Sequence, residues 1–139
     1  MRRNESITHI MTSNITSVNT AQKISDVYAV LENKAVHHVP VTSGQKLVGM
    51  ISSTDMVKLS LGPYGTPGAA KEGYLDGQFS IEGVMSTDLT TLQPDNTIRD
   101  AAEVLVRDKF HALPVVEDSG KLVGMVTTTD LIRYLLDQY

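Results

Sequence analysis

The segment Leu47-Val48-Gly49-Met50-Ile51-Ser52-Ser53-Thr54-Asp55 returns later in the chain as Leu122-Val123-Gly124-Met125-Val126-Thr127-Thr128-Thr129-Asp130. The first four residues are identical in the two segments, and both segments end in Thr-Asp. Each segment begins with apolar residues that favour a strand and ends with residues that favour the start of a helix. The sequence therefore predicts the same junction between a strand and a helix twice.

Two other segments repeat in the same order upstream of this junction. Ile7-Thr8-His9-Ile10-Met11 resembles Ile81-Glu82-Gly83-Val84-Met85, and His37-His38-Val39-Pro40-Val41 resembles His111-Ala112-Leu113-Pro114-Val115. The repeat is longer than the period of about 20–50 residues that is typical of solenoids. We interpret the chain as two copies of one small unit, and we expect the copies to pack about a pseudo-twofold axis.

Local patterns predict the same order of elements in both copies. The first copy is predicted to contain a helical turn at 6–11, a short strand at 15–18, a helix at 23–34, strands at 36–42 and 46–52, and a helix opened by Thr54-Asp55. The second copy is predicted to contain a helix at 98–109, strands at 112–117 and 121–127, and a helix at 130–136. Together these elements predict an α+β fold in which each copy follows a β-α-β-β-α order.

Composition excludes several classes of protein. The chain has 139 residues, a net charge of −4, 41% hydrophobic residues and no Cys, so it is an ordinary globular sequence without disulfides, thiolate zinc sites or a Cys nucleophile. Its acidic balance argues against non-specific nucleic-acid binding, which needs clustered basic residues. The sequence lacks an apolar run of about 20 residues and a signal-peptide core, so we expect no membrane association and a cytoplasmic location.

The two copies are separated by a segment that is rich in Gly and Pro. We place the first unit at 1–61, the linker at 62–80 and the second unit at 81–139, and we expect them to form one globular module. The linker is long for a plain connection. It is either a flap over a ligand or partner, or a tolerated surface insertion, and the second interpretation is favoured.

The duplicated pattern resembles the CBS (cystathionine-β-synthase) domain family. The markers are the IxxIM and IxxVM starts, the strands that end in VPV and LPV, and two signatures of the form G-h-h-[ST]-x-x-D at 49–55 and 124–130. The resemblance implies two units paired through their sheets, with dimerisation into a disc of four units. It also implies an adenosyl ligand (AMP, ADP, ATP or S-adenosylmethionine) in clefts between paired units, with a regulatory role.

The signature residues suit a nucleoside ligand. An ionised Asp is purely an acceptor and can take both ribose hydroxyls, and the start of a helix favours anions. Asp55 and Asp130 are thus candidate ribose ligands, and the resemblance places ribose and phosphate here. The neighbouring hydroxyl groups are further candidates: Ser52, Thr54, Thr127 and Thr129. In the alternative interpretation these residues only cap their helices, because Ser, Thr and Asp are preferred there.

Further candidates follow from the resemblance. His37 and His111 occupy a slot that faces phosphate in the family, although each is alternatively a surface or interface His without a ligand. Thr16 and Thr90 are weaker candidates on the first strands. Val39, Val41, Leu113 and Val115, next to Ile10 and Val84, are expected to form an apolar slot for adenine, although core packing is their alternative role. Lys58 and Arg133 follow the two Asp residues by one helical turn and either reach an anion or remain solvated.

These residues predict a sensor of adenine nucleotides. The alternative is a ligand-free module that regulates a partner enzyme or transporter. The linker and the apolar residues Met11, Met56, Met85 and Tyr134 support that alternative, since Met-rich surfaces adapt to partners. No catalytic residues, metal ligands or catalytic cofactor are predicted, because no nucleophile–base spacing or phosphate-binding P-loop is present. Nucleotide hydrolysis is a weaker third hypothesis.

Overall fold

The computed structural model describes residues 4–34, 36–60, 74–108 and 111–139. The chain divides into two packed units. The central unit comprises Thr16–Leu89, and the terminal unit comprises Met1–Ile15 together with Thr90–Tyr139. Both units combine helices with strands, which confirms the predicted α+β class.

The central unit is built on an antiparallel hairpin. Strands β2 and β3 pair from His38↔Ser52 to Ser43↔Lys46, and β1 pairs in parallel with β2. Gly44 has a φ of 63° in the hairpin turn, a left-handed conformation that favours Gly. The elements of this unit are β1 Val18–Asn19, α1 Ile24–Lys34, β2 His38–Ser43, β3 Lys46–Ser52, α2 Ser53–Ser60, α3 Tyr74–Gln78 and α4 Ile81–Val84.

The terminal unit repeats this plan. Strands β4 and β5 form an antiparallel hairpin, and a parallel bridge from Leu92 to Val115 stands where β1 pairs with β2 in the central unit. The hairpin turn is one residue longer and contains Gly120 at a φ of 92°. The elements are a 3-10 turn at Ile7–His9, α5 Ile98–Asp108, β4 Ala112–Val116, β5 Leu122–Thr127 and α6 Thr128–Asp137.

Two predicted elements differ from the structure. The first strand was predicted at 15–18, but the ladder begins at Val18, because only Val18 and Asn19 have partners on β2. The predicted linker at 62–80 includes a short helix, α3, which the Gly and Pro content of the segment concealed. Residues 62–73 of that linker lie outside the described residues.

The short turn that opens each repeat packs in the unit built from the other repeat. Ile7, from the start of the chain, is fully buried in the core of the terminal unit with Leu92, Leu113 and Val126. Ile81, from the start of the second repeat, is fully buried in the core of the central unit. Each packed unit is therefore assembled from segments of both sequence repeats.

The opening segments end in Met11 and Met85, and each of these side chains lies over the Gly of a signature. A Cβ on Gly49 would lie 2.7 Å from Cγ of Met85, and a Cβ on Gly124 would lie 2.5 Å from Sδ of Met11. The backbone next to these methionines is also paired, since Ser86 bridges to Met50 and Thr12 bridges to Met125. The Gly that both signatures share thus allows the strand to lie close to the opening segment of the other repeat.

Candidate functional site

The candidate site in the central unit begins at the junction between β3 and α2. The backbone N–H of Ser52 donates to Oδ2 of Asp55 at 2.9 Å, and the backbone N–H of Asp55 donates to Oγ of Ser52 at 3.1 Å. This reciprocal pair is a capping box, which satisfies backbone donors that the helix cannot use. It fixes the Asp55 carboxylate at the start of α2.

The junction between β5 and α6 has the same construction in the terminal unit. The backbone N–H of Thr127 donates to Oδ2 of Asp130 at 2.9 Å, and that of Asp130 donates to Oγ1 of Thr127 at 3.1 Å. Asp130 is buried, with 6% of its surface exposed, and its Oδ1 accepts from Arg133 at 3.4 Å. The helix-capping role that the sequence offered as an alternative is therefore present in both repeats.

Capping leaves acceptor capacity on each carboxylate. An ionised carboxylate has about four acceptor positions on two oxygens, and the cap uses Oδ2. The guanidinium that reaches Oδ1 of Asp130 belongs to a side chain that is 67% exposed, so it can turn into solvent. A hydroxyl donor can then bind Oδ1 without opening the cap. Capping and ligand binding by the same residue are chemically compatible.

The two predicted histidines stand beside these helix starts. His37 and His111 are exposed and immediately precede β2 and β4. The carbonyl of His37 accepts from the backbone N–H of Ser53 at 2.8 Å, and that of His111 accepts from Thr128 at 3.0 Å. Since Ser53 and Thr128 are the first residues of α2 and α6, each imidazole is attached next to a helix N-terminus.

These contacts also restrict what the helix starts can offer a ligand. We predicted that backbone N–H groups at the starts of α2 and α6 bind phosphate. Two of the first three amides of α2, those of Ser53 and Asp55, already donate within the protein, and the same holds for Thr128 and Asp130 in α6. An anion at either place would depend chiefly on hydroxyl groups and the neighbouring His.

The two candidate threonines lie just before the first pairs of their sheets. Thr16 precedes by two residues Val18, which is the first residue of β1 and pairs with Val41. Thr90 precedes by two residues Leu92, which bridges to Val115. Thr16 is exposed and Thr90 is half-buried. Contact of either Thr with a ligand stays a prediction.

The apolar candidates occupy the cores. Val39, Val41, Leu113 and Val115 are at most 1% exposed. Ile10 and Val84 are half-buried and pack against the same two cores. The structure thus shows the packing role that the sequence gave as their alternative, and contact between their side chains and a base stays a prediction.

The remaining polar candidates are exposed or half-buried. Ser52 and Thr127 are half-buried, Thr54 and Thr129 are exposed, and Lys58 is exposed one turn after Asp55. Two residues proposed for a partner surface were wrongly placed there, because Met56 is 1% exposed and Tyr134 is 9% exposed. Met11 and Met85 are half-buried and lie over the signature glycines.

A groove of about 320 Å³ lies elsewhere on the central unit. It is lined by backbone and small polar groups of 17–22 and 42–44. Residues 42–44 are at the hairpin turn, whereas His37 and Ser52 are at the opposite end of β2 and β3. The groove therefore does not belong to the predicted site.

Among the residues that the structure describes, no three or more His, Asp or Glu side chains are grouped as metal ligands would be. None of the described helices combines the length and the apolar character needed to cross a bilayer. Asp76, whose carboxylate binds the start of α1, was not predicted from the sequence. A signal for that contact lies in the comparison of the repeats, since Lys23 stands where the second repeat has Thr97.

A family model described as CBS domain matches residues 7–62 and 81–137. The uncharacterized protein MJ1426 of Methanocaldococcus jannaschii is 31% identical over 134 residues, which cover 80% of this chain and 80% of that protein. The uncharacterized protein MJ1225 of the same organism is 28% identical over 133 residues, or 94% of this chain and 47% of that protein. The chain spans between 24% and 47% of the first three curated relatives that it matches.

Solved structures of such proteins have the same fold. The crystal structure of MJ1225 superposes with a TM-score of 0.81 at 26% identity and covers 95% of this chain and 48% of that one. The crystal structure of CBSX2 in complex with AMP superposes with a TM-score of 0.80 at 24% identity and covers 96% of this chain and 98% of that one. Because the family model matches both repeats and their two capped signatures, the chain belongs to the CBS domain family as a tandem pair of CBS units.

Proposed function

We propose that this CBS pair is a regulatory module that binds an adenosyl ligand (AMP, ADP, ATP or S-adenosylmethionine) through the residues at the starts of α2 and α6. The observation that carries the proposal is the twofold construction of one arrangement: a capped carboxylate, hydroxyl groups and a His beside one helix N-terminus. Vicinal ribose hydroxyls match the free acceptor positions of the carboxylates. The AMP complex of the similar protein CBSX2 agrees with this choice of ligand.

The proposed contacts divide by chemistry. Asp55 and Asp130 accept from ribose hydroxyls, while hydroxyl groups and the imidazoles bind phosphate oxygens. A phosphate next to a His favours its charged form, which then pairs as a cation. The proposed ribose and phosphate ligands are Asp55, Ser52, Thr54, His37 and Thr16 in the first repeat, and Asp130, Thr127, Thr129, His111 and Thr90 in the second.

Regulation follows from linkage rather than from catalysis. A ligand shifts a conformational equilibrium only when it binds one arrangement better than another. It also stabilises the folded state, by about 2.7 kcal/mol when its concentration is a hundred times its dissociation constant. We therefore propose binding without turnover, in the cytoplasm where these ligands are abundant, with a partner protein as the target of regulation.

Thermal unfolding with AMP, ADP, ATP and S-adenosylmethionine tests the proposal. We expect at least one of them to raise the melting temperature by several degrees, because about 1 kcal/mol corresponds to roughly 2–8 °C for chains of this size range. GMP serves as the comparison ligand that lacks the adenine base. No shift with any adenosyl ligand at millimolar concentration would contradict the proposal.

Replacing Asp130 by Asn tests the assigned contact. The Asn oxygen can still accept from the N–H of Thr127, so the helix cap is retained while the charge is lost. We expect the affinity for the ligand to fall by about 1.5–3 kcal/mol, the range for a hydrogen bond to a charged group. The measurement is calorimetric titration, with Asp88→Asn as the matched control at an exposed position. Unchanged affinity would remove Asp130 from the site.

A second proposal concerns association with other proteins. Helix α6 exposes Ile132, Leu135 and Leu136, and the same spacing continues to Tyr139. These positions are three or four residues apart and share one helix face, while Asp130 and Tyr134 are buried on another. We propose that two copies of the chain associate through this face. A heterologous partner is the alternative, and the oligomeric state in solution distinguishes the two.

A further inference from the structure

Equivalent helices of the two repeats begin differently. In the terminal unit, Thr97 precedes α5, its Oγ1 accepts from the N–H of Asp100 at 3.1 Å, and its own N–H donates to Asp100 Oδ2 at 2.8 Å. Lys23 stands at the corresponding position before α1. A Lys side chain has three donors and no acceptor, so it cannot cap the amides at the start of a helix.

Half of the capping box nevertheless survives before α1. The backbone N–H of Lys23 donates to Oδ2 of Asp26 at 2.8 Å, as the N–H of Thr97 does to Asp100. The amide that a Thr hydroxyl would bind, that of Asp26, donates instead to the backbone carbonyl of Lys23 at 3.0 Å. The amide of Ser25, one residue earlier, takes its acceptor from another part of the chain.

Asp76 of the inter-repeat linker provides this acceptor. Its Oδ1 accepts from the backbone N–H of Ser25 at 2.8 Å, and its Oδ2 accepts from the hydroxyl of Ser25 at 2.8 Å. Asp76 lies in α3, separated from α1 by both strands of the hairpin and by α2 in the chain. A carboxylate at a helix N-terminus is also favoured by the helix dipole.

The charge of Asp76 is stabilised by its surroundings. The hydroxyl and then the backbone N–H of Ser25 lower the pKa of Asp76 below its ordinary value of 3.8, and the nearby ammonium of Lys23 acts in the same direction. The other carboxylate in the first turn of α1, that of Asp26, is bound to the N–H of Lys23. The replacement of Thr by Lys thus removes a local cap and places a cation beside the carboxylate that replaces it.

We propose that Asp76 caps the start of α1 from outside the helix and that this contact is a strap that holds the end of the inter-repeat linker on the first repeat. The strap opens when the carboxylate is removed or when a second negative charge is placed at Ser25. It is a positioning device, separate from the residues at the starts of α2 and α6. Because α4 follows α3 directly, the strap also fixes where Ile81 enters the core.

Asp76→Ala in the full chain tests the strap with two readouts. The first is the exchange rate of the Ser25 amide hydrogen, measured by NMR, which reports on the cap. The second is the rate of chymotryptic cleavage after Phe79, measured by mass spectrometry, because Phe79 is partly exposed and directly follows α3. We expect both rates to rise about fivefold, the population change that corresponds to the loss of one typical N-cap. Asp88→Asn is the control and should change neither rate.

Lys23→Thr distinguishes two effects of Asp76, namely the stabilisation of the start of α1 and the attachment of the linker end. In the double variant with Asp76→Ala, the new hydroxyl can bind the amide of Asp26, as Thr97 binds that of Asp100, so the melting temperature should partly recover while cleavage after Phe79 stays fast. Ser25→Asp should also accelerate cleavage, since two carboxylates then face each other. If Asp76→Ala does not fold, Ser25→Ala, which removes only one of the two hydrogen bonds, should accelerate cleavage less than Ser25→Asp.

Two results would overturn the proposal. In one, cleavage after Phe79 is as slow in Asp76→Ala and Ser25→Asp as in the parent chain, which means that other contacts hold α3. In the other, the amide hydrogen of Ser25 exchanges as slowly in Asp76→Ala as in the parent chain, which means that Asp76 does not cap α1. Neither readout depends on a nucleotide, so failure of the strap is distinct from failure of the proposed function.

Discussion

The carboxylates at the strand-to-helix junctions have one observed role, capping, and one proposed role, binding a ribose. Asp55 and Asp130 each cap a helix through Oδ2. Because the cap immobilises the side chain, a ligand that bound there would not incur the rotamer entropy of a flexible Asp. If the proposed binding holds, the capping box preorganises the site as well as stabilising the helix.

The two signature glycines should differ in their tolerance of a side chain. A Cβ added at either Gly would clash with Sδ of the overlying Met. On Gly49 it would also lie 2.7 Å from Cγ and 3.0 Å from Cβ of Met85, whereas on Gly124 the next atoms of Met11 are 3.1–3.2 Å away. Since the far end of Met moves more easily, we expect Gly49→Ala to lower the free energy of unfolding by about 1–3 kcal/mol and Gly124→Ala to lower it by less.

Urea unfolding of the two variants measures this difference. The matched control is Gly77→Ala, because nothing lies within 4 Å of a Cβ at that position in α3. That change should be neutral or stabilising, since Ala is favoured over Gly in a helix. Equal stabilities for Gly49→Ala and Gly77→Ala would mean that the exchanged segment does not pack against the strand.

At the level of elements, the cap at the start of α5 is sensitive to acid because it depends on the carboxylate of Asp100. The backbone N–H of Thr97 and the side chain of Asn96 donate to Asp100 and lower its pKa below the ordinary value of 3.8. Because the pKa of Asp100 is lower in the folded chain than in the unfolded chain, the ionised carboxylate stabilises the fold at pH values above the unfolded-state pKa. This stabilisation is lost as the pH falls through the folded-state pKa.

Asp100→Asn should therefore change the pH dependence of stability. We expect the free energies of unfolding of the parent chain and the variant to differ most near pH 7 and to converge as the pH falls below about 4. Urea unfolding across this pH range measures the effect, and Asp95→Asn provides an exposed control on the preceding turn. A difference that stays constant down to acidic pH would exclude the ionised carboxylate as its cause.

Local patterns predicted the elements that are defined by local contacts. The helices α1, α5 and α6 and both hairpins follow from apolar spacing, turn residues and caps, and the structure confirms them. Asp76 was not predicted as a capping residue because its partner, Ser25, is far away in the sequence. No pattern of neighbouring residues indicates a contact between the two. The signal that was available is the comparison of the repeats, in which Lys23 stands where Thr97 caps its helix.

The assignment of side chains to site or core was less predictable. Val39, Val41, Leu113 and Val115 are apolar residues of central strands, and their composition suits either an adenine slot or a core. Met56 and Tyr134 were expected near helix ends at the surface, but helical period places them on the buried faces of α2 and α6. Periodicity fixes which residues share a face and does not say what covers that face.

At the scale of the whole molecule, the exposed face of α6 is the feature that predicts association. Leu136 is 69% exposed and Ile132 is 59% exposed. We expect the chain to be a dimer, and we expect Leu136→Glu to shift it toward the monomer because the variant would bury an unpaired charge. Size-exclusion chromatography with light scattering measures the mass.

Asp137→Lys is the matched control for this prediction. It changes charge at the neighbouring position, on a different face of the same helix, and should leave the dimer intact. A parent chain that is monomeric at micromolar concentration would contradict self-association and favour a heterologous partner. A dimer that survives Leu136→Glu would place the interface on another surface.

The exchange of opening segments between the repeats separates the order of synthesis from the order of folding. Ile7 leaves the ribosome well before its core partners, from Leu92 to Val126, are translated. At about 5–20 residues per second this delay is on the order of ten seconds. The central unit is contiguous in sequence and can assemble during the delay, while the nascent segment around Ile7 waits with its apolar side chains unburied, where a chaperone can bind them.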